Sequence, residues 1–279
     1  MKTFFSLLFI VLFFNACTSI PSVKERIKIS NKLIEHKQIR KEIIHTNDFS
    51  LYSLQKISSC KTLRIYIEGD GLAWATKTRI SSNPTPINPL TMKLFLKDKN
   101  SCKIYLARPC QYTNDKKCEK KYWTSHRFSK EVLSSYLTIL DLLKEKNQNK
   151  NFELIGFSGG GAIATLISAK RDDISFLLTV AGNLDHKYWT SKNRLTPLSS
   201  SLNPPQFAKK LQKIKQVHLI GEKDTIIDSS IFKSYNSYFK DTSKINHFIF
   251  KDFSHQKGWE DNWESLLLNY LDNLAFNKK

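Results

Sequence analysis

Phe152-Glu153-Leu154-Ile155-Gly156-Phe157-Ser158-Gly159-Gly160-Gly161-Ala162-Ile163-Ala164-Thr165-Leu166 runs from an apolar strand-like segment into a helix-like one through the pattern G-x-S-x-G. A sharp strand-to-helix turn of this kind holds the central serine clear of the sheet. Its glycines remove steric conflict between turn and helix. Ser158 is therefore the candidate nucleophile. The other reading of the same glycines is a helix entry that only binds an anion.

Outward from this turn, apolar strand-like segments alternate with amphipathic ones. Strands are expected at 63–68, 103–107, 152–157, 174–181, 217–221 and 246–250, with an antiparallel edge pair at 39–46 and 49–55. Helices are expected at 130–145, 160–171, 228–240 and 259–275. The first carries Val132, Leu133, Tyr136, Leu137, Leu140 and Leu143 at helical spacing. Such alternation predicts an α/β fold, a mostly parallel sheet with helices on both faces. The chain has only nine glycines, and all but Gly258 fall at or just beyond the ends of the expected strands. Ligands bind at the carboxyl edge of such sheets, so that edge is the candidate site.

A serine nucleophile needs a base and a carboxylate to orient it. Among seven histidines, His255 lies between the last expected strand and the last helix. His218 and His247 fall inside strands, His45 and His126 precede Ser158, and His186 is the competitor. Asp224 follows the strand ending at Gly221, whereas Asp228 suits the N-cap of the next helix. The order Ser158, Asp224, His255 is that of hydrolases built on a nucleophile elbow. Oxyanion donors are expected from the Gly69-Asp70-Gly71 turn together with the amide of Gly159. Glu68 and Asp70 would oppose a developing negative charge there unless paired, and Arg108 is the expected partner of Glu68. Trp189, Pro197, Pro204 and Pro205 either line a pocket or simply pack. The stretch from Tyr122 to Arg127 is expected to border the site.

From about residue 40 onward the chain resembles an α/β-hydrolase. More narrowly it resembles bacterial envelope hydrolases of lipoprotein type. The elbow carries the broad resemblance. The narrower one rests on Ile67-Glu68-Gly69-Asp70-Gly71-Leu72-Ala73-Trp74, Pro84-Thr85-Pro86-Ile87-Asn88-Pro89, Tyr105-Leu106-Ala107-Arg108-Pro109-Cys110-Gln111-Tyr112 and Val180-Ala181-Gly182-Asn183-Leu184-Asp185. The resemblance implies the α/β-hydrolase fold and a serine hydrolase, but no substrate. About 34 residues separate Gly182 from the strand at 217, room for a small lid but not for a cap domain.

The N-terminus reads as an export signal. Residues 1–16 hold one lysine and a short apolar run, too short to cross a bilayer. Ala16-Cys17 then resembles a lipobox, so Cys17 is the expected lipid attachment site. Residues 17–36 are expected as a lipidated tether and 37–279 as the hydrolase domain. Lipidation would anchor the protein to the membrane of a bacterial cell envelope, most simply the outer membrane facing the periplasm. Four cysteines remain, an even number in an oxidising compartment. Cys60 and Cys102 precede two strands that would pair in parallel, which predicts Cys60–Cys102 and leaves Cys110–Cys118. Their spacing does not suit zinc, and no metal or cofactor is expected.

With 41% hydrophobic and 25% charged residues the chain suits one globular domain rather than a disordered polymer. The formal charge of +19 favours anionic envelope surfaces or reflects a lysine-rich composition. It is not gathered into a tail, and no nucleic-acid partner is expected. The expected activity is cleavage of an ester, thioester or amide of a small or lipid-like acyl substrate through acyl-Ser158. Acyl transfer by the same triad, or a silent hydrolase scaffold that binds envelope partners, are the alternatives.

Overall fold

The computed structural model describes residues 20–272; the segment 1–16 and Cys17 lie outside the described residues. Strands β1 (Arg40–His45), β2 (Ser50–Lys56), β3 (Thr62–Ile67), β4 (Lys103–Leu106), β5 (Asn151–Phe157), β6 (Ile174–Val180), β7 (Gln216–Gly221) and β8 (Ile245–Phe250) form one sheet. Their order is β1-β2-β4-β3-β5-β6-β7-β8. β1–β2 and β2–β4 pair antiparallel, and every other neighbouring pair is parallel. The expected strands are all present, with ends shifted by a residue or two.

The helices are α1 (Val23–Ile34), α2 (Leu90–Lys97), α3 (Lys130–Asn147), α4 (Gly159–Ser168), α5 (His186–Lys192), α6 (Ala208–Leu211), α7 (Ser229–Asn236) and α8 (Trp259–Leu267). Strand alternation divides the core into two. Leu63, Ile65 and Ile67 of β3 join Phe152 and Leu154 under α3 and α4. Tyr66, Ile155 and Phe157 face α2 and α8, where Phe95, Trp259 and Trp263 are buried. α3 starts where the Ser129 side chain caps the Val132 amide, and it ends at Gln148 in the left-handed region. After β6 the chain makes only a short excursion through α5 and α6 before returning to β7. Both expected disulfides are present, with Cα–Cα distances of 5.8 Å for Cys60–Cys102 and 5.6 Å for Cys110–Cys118.

Three expectations need correction. Residues 23–34 belong to a helix rather than to a tether. Ser22 and Glu25 form a capping box, and the buried Arg26 donates to the carbonyl of Asn83 (3.2 Å) and to that of Thr85. Ser30 Oγ donates to the Tyr112 hydroxyl at 3.1 Å. The inner face of this helix holds Arg26 and Ser30, so hydrophobic periodicity does not reveal it. Second, α2 is an additional helix outside the expected ones; it is short and enters from Pro89 without a side-chain cap. Third, α4 stops at Ser168 and α7 at Asn236, while a π-helical turn, Leu268–Asp272, follows α8.

His218 tests how this packing responds to acid. It is buried, with Nδ1 2.8 Å from Thr179 Oγ1 and Nε2 3.2 Å from Gln216 Oε1. Burial, aided by the neighbouring His247, pushes its pKa down to about 3. The unfolded chain binds a proton there near pH 6.5, and the native one does not. Stability should therefore be full above that pH and fall as pH drops toward 3, by up to about 1.4 kcal/mol per pH unit from this group. The urea midpoint of His218→Gln should depend less steeply on pH; an unchanged slope would contradict the assignment.

Candidate active site

The elbow is built by close backbone approach. A Cβ on Gly156 would lie 2.3 Å from the carbonyl oxygen of Gly160, so only glycine lets β5 run directly into α4. Ser158 between them takes φ 51° and ψ −117°, an unfavourable conformation for a residue with a side chain. Its amide donates to Val180 O at 3.0 Å, pinning the turn to the end of β6.

The structure brings the three expected residues together. His255 Nε2 is 3.1 Å from Ser158 Oγ, and His255 Nδ1 is 2.8 Å from Asp224 Oδ2. The other Asp224 oxygen accepts from the amides of Ile226 (2.8 Å) and Ile227 (2.9 Å), which fixes the buried carboxylate. The imidazole also packs on the Phe157 ring, centroids 5.0 Å apart. Asp228 is the N-cap of α7 and pairs with Lys192. His186 is buried against Leu202 O (3.1 Å), and burial lowers its pKa. His45 and His126 pair with Ser50 and Ser125, and His247 stacks on Phe232.

The loop after β3 departs from expectation in its pairing. Arg108 contacts Asp70 (2.9 Å), not Glu68, and Arg127 takes the other Asp70 oxygen at 2.7 Å. Burial opposes ionisation of Asp70, but Arg127 and Arg108 outweigh it and hold the carboxyl below the usual carboxylate range. Glu68 instead turns toward the start of α2. It accepts from the Thr91 and Met92 amides (both 3.4 Å) and the Tyr105 hydroxyl (3.1 Å). Burial raises its pKa in spite of these donors.

Gly69, expected among the oxyanion donors, is otherwise engaged: its amide donates to Glu68 Oε1 at 2.9 Å and its carbonyl accepts from Gln111 Nε2 at 3.0 Å. Gly71 makes the turn at φ 64°. Among the described residues, no protein acceptor pairs with the amides of Asp70 and Gly159. Arg127 and Gln111 act on this loop although sequence reasoning gave them no such part. Neither has a local pattern that links it to residue 70.

Of the expected lid residues, Trp189 Nε1 donates to Ile226 O at 2.8 Å, tying α5 to the Asp224 loop. Pro204 and Pro205 are buried in a 3-10 turn.

An α/β-hydrolase sheet with a serine at the elbow and a histidine and an aspartate hydrogen-bonded behind it defines a serine hydrolase. Residues 84–251, more than half of the chain, match the family described as serine hydrolase (FSH1), and the chain belongs to that family. No curated protein matches it. Among solved structures it is similar to the esterase Pf2001 of Pyrococcus furiosus, at TM-score 0.58 and 15% identity over 85% of this chain and 92% of that one. Est1E of Butyrivibrio proteoclasticus with ferulic acid bound gives TM-score 0.60 and 13% identity over 84% and 99%. An α/β serine hydrolase homologue from Coxiella burnetii gives 0.58 and 12% over 84% and 97%. At such identities the likeness is one of fold.

The turn at Gly71 offers a test. A Cβ there would lie 2.0 Å from Pro84 O, on top of the left-handed φ. Gly71→Ala should cost about 2 kcal/mol or more, lowering Tm by roughly 4–8 °C, and should reduce activity by displacing the loop. A variant with unchanged melting and turnover would contradict this account.

Proposed function

We propose that the protein hydrolyses a carboxylic ester through a covalent acyl-Ser158 intermediate. The observation that carries this reading is the unbroken hydrogen-bonded chain Asp224–His255–Ser158. With Nδ1–H donated to Asp224, the lone pair on Nε2 faces the serine hydroxyl. Ser158 Oγ attacks the carbonyl carbon while its proton passes to His255 Nε2. Asp224 holds the ring and stabilises the imidazolium. Negative charge on the carbonyl oxygen is met by the amides of Asp70 and Gly159. Collapse expels the alcohol, which takes the proton from His255. Water then attacks the acyl carbon as its proton passes to His255 Nε2; the bond to Ser158 Oγ breaks, Oγ takes that proton back, and the acid leaves the restored enzyme.

Fold neighbours that include esterases support an ester as substrate. A small-molecule or lipid-like acyl group suits the short excursion between β6 and β7, which holds only α5, a 3-10 turn and α6.

The same reading places the enzyme in a bacterial cell envelope, anchored by lipid on Cys17. Its support is the apolar segment before Ala16-Cys17 and the two disulfides, which persist in oxidising compartments. The +19 formal charge suits an anionic surface.

A fluorophosphonate should label the wild type and fail on Ser158→Ala. Turnover of a chromogenic ester should fall by on the order of 10⁶-fold in Ser158→Ala and nearly as far in His255→Ala, because triad members act as a unit. Equal labelling of folded Ser158→Ala would refute the mechanism.

Separately, Cys17→Ser should shift the protein from the membrane fraction to the soluble one. A wild type that is soluble with a free Cys17 thiol would refute the anchor.

A further inference from the structure

Asp70 puts a carboxylate where a reaction that builds negative charge would not want one. Its side chain packs against the residue after the nucleophile: a Cβ on Gly159 would lie 2.2 Å from Asp70 Oδ1. Left alone, that charge would oppose an oxyanion held by the Gly159 amide. It is not left alone. Each oxygen meets its own guanidinium, Oδ1 at 2.9 Å from Arg108 Nη1 and Oδ2 at 2.7 Å from Arg127 Nη1.

Both arginines are buried and held from behind. Arg108 donates through Nη2 to Arg127 O and lies over the Phe128 ring. Arg127 Nε donates to Thr124 O at 2.9 Å. The Arg108 amide donates to Gln111 Oε1 (3.1 Å), whose Nε2 holds Gly69 O. Loop 69–71 is thus fixed at the Gly69 amide, the Gly69 carbonyl, the Asp70 side chain and the Gly71 turn; the amides of Asp70 and Gly71 are left over, and that of Asp70 belongs to the residue whose side chain lies against Gly159.

We propose that Asp70, Arg108 and Arg127 form a clasp of positioning residues that aims the Asp70 main-chain amide at the substrate oxyanion and turns the local charge from negative to net positive. The inference rests on the acyl-Ser158 reading and names what supports its oxyanion site. Two guanidiniums and one carboxylate sum to a single positive charge beside the atom that becomes negative, in a setting where screening by water is weak. Guanidinium suits the task because its planar fork fixes direction as well as charge.

The test uses the full chain with its disulfides intact, p-nitrophenyl butyrate as substrate and an alkyl boronic acid as a tetrahedral mimic. Arg127→Met should lower kcat by about 10- to 100-fold with KM within about threefold, because the loss falls on the transition state. Boronate affinity should fall with kcat. Arg127→Lys should recover part of both, and Asp70→Asn, which frees the loop but keeps both guanidiniums, should lower both by more than about threefold yet by less than Arg127→Met does. Should Arg127→Met not fold, Arg127→Lys and Asp70→Asn carry the same comparison. Folded variants whose kcat and boronate affinity stay within about threefold of wild type would overturn the clasp alone. So would a loss confined to KM. Activity that survives Ser158→Ala would overturn the clasp together with the acyl-serine reading.

Discussion

At Gly160 and Gly161 the first turn of α4 stands directly against the backbone just at the end of β3 and beyond β6. A Cβ on Gly160 would lie 2.2 Å from Ile67 O, and one on Gly161 2.9 Å from the Gly182 Cα. This contact of bare backbone forces Ser158 into its strained conformation and directs the serine at the sheet edge, where the loops after β3, β7 and β8 converge. The strain is sustained because the surrounding sheet is buried on both faces. Leu154 packs under the α3–α4 core and Ile155 under the α2–α8 core. Loosening any of these layers would let the turn relax, and the serine would no longer face His255.

Three carboxylates around that turn are handled in three ways. Asp224 receives two backbone amides and an imidazole, an environment that keeps one oxygen for orientation and the other for the histidine. Asp70 receives two guanidiniums, which keep it ionised. Glu68 receives only neutral donors in a dry setting, and its pKa rises. Glu68 and Asp70 are two residues apart, yet one is drawn to the start of α2 and the other to the elbow. Two acids can stand this close to the elbow because each has donors of its own: Asp70 two guanidiniums, Glu68 the Tyr105 hydroxyl and the amides at the start of α2.

The sheet was legible in the sequence because its period is simple and its glycines mark one edge. The triad followed from chain order and loop position: His255 lies between the last strand and the last helix, and Asp224 directly follows β7 while Asp228, beyond the same strand, is taken by the N-cap of α7. What escaped was contact between side chains far apart in sequence. Arg108 lies just past the end of the strand beside β3 and so points in sequence to Glu68, but strand alternation puts Glu68 on the face of Tyr66, toward α2, and so away from the elbow. Arg127 lies in an irregular stretch after Thr124, and no periodicity ties it to Asp70. α1 escaped for the opposite reason: it is regular, but its buried positions are polar, and a lysine-rich amphipathic helix reads like a linker.

That helix changes what counts as the catalytic unit. Arg26 holds the carbonyls of Asn83 and Thr85, flanking Pro84. The Pro84 carbonyl in turn receives the Leu72 amide (3.0 Å) and leaves no room for a side chain on Gly71. Support therefore passes from α1 through a three-residue segment to the turn that carries the Asp70 amide. A boundary drawn at residue 37 would cut through this support, leaving the buried Thr85 carbonyl and the half-buried Asn83 carbonyl without their cationic partner. α1 starts only a few residues beyond Cys17. The span expected to lead from membrane to enzyme is thus largely occupied by a docked helix, so an anchor at Cys17 would hold the substrate edge at short range from the lipid surface rather than at the end of a long leash.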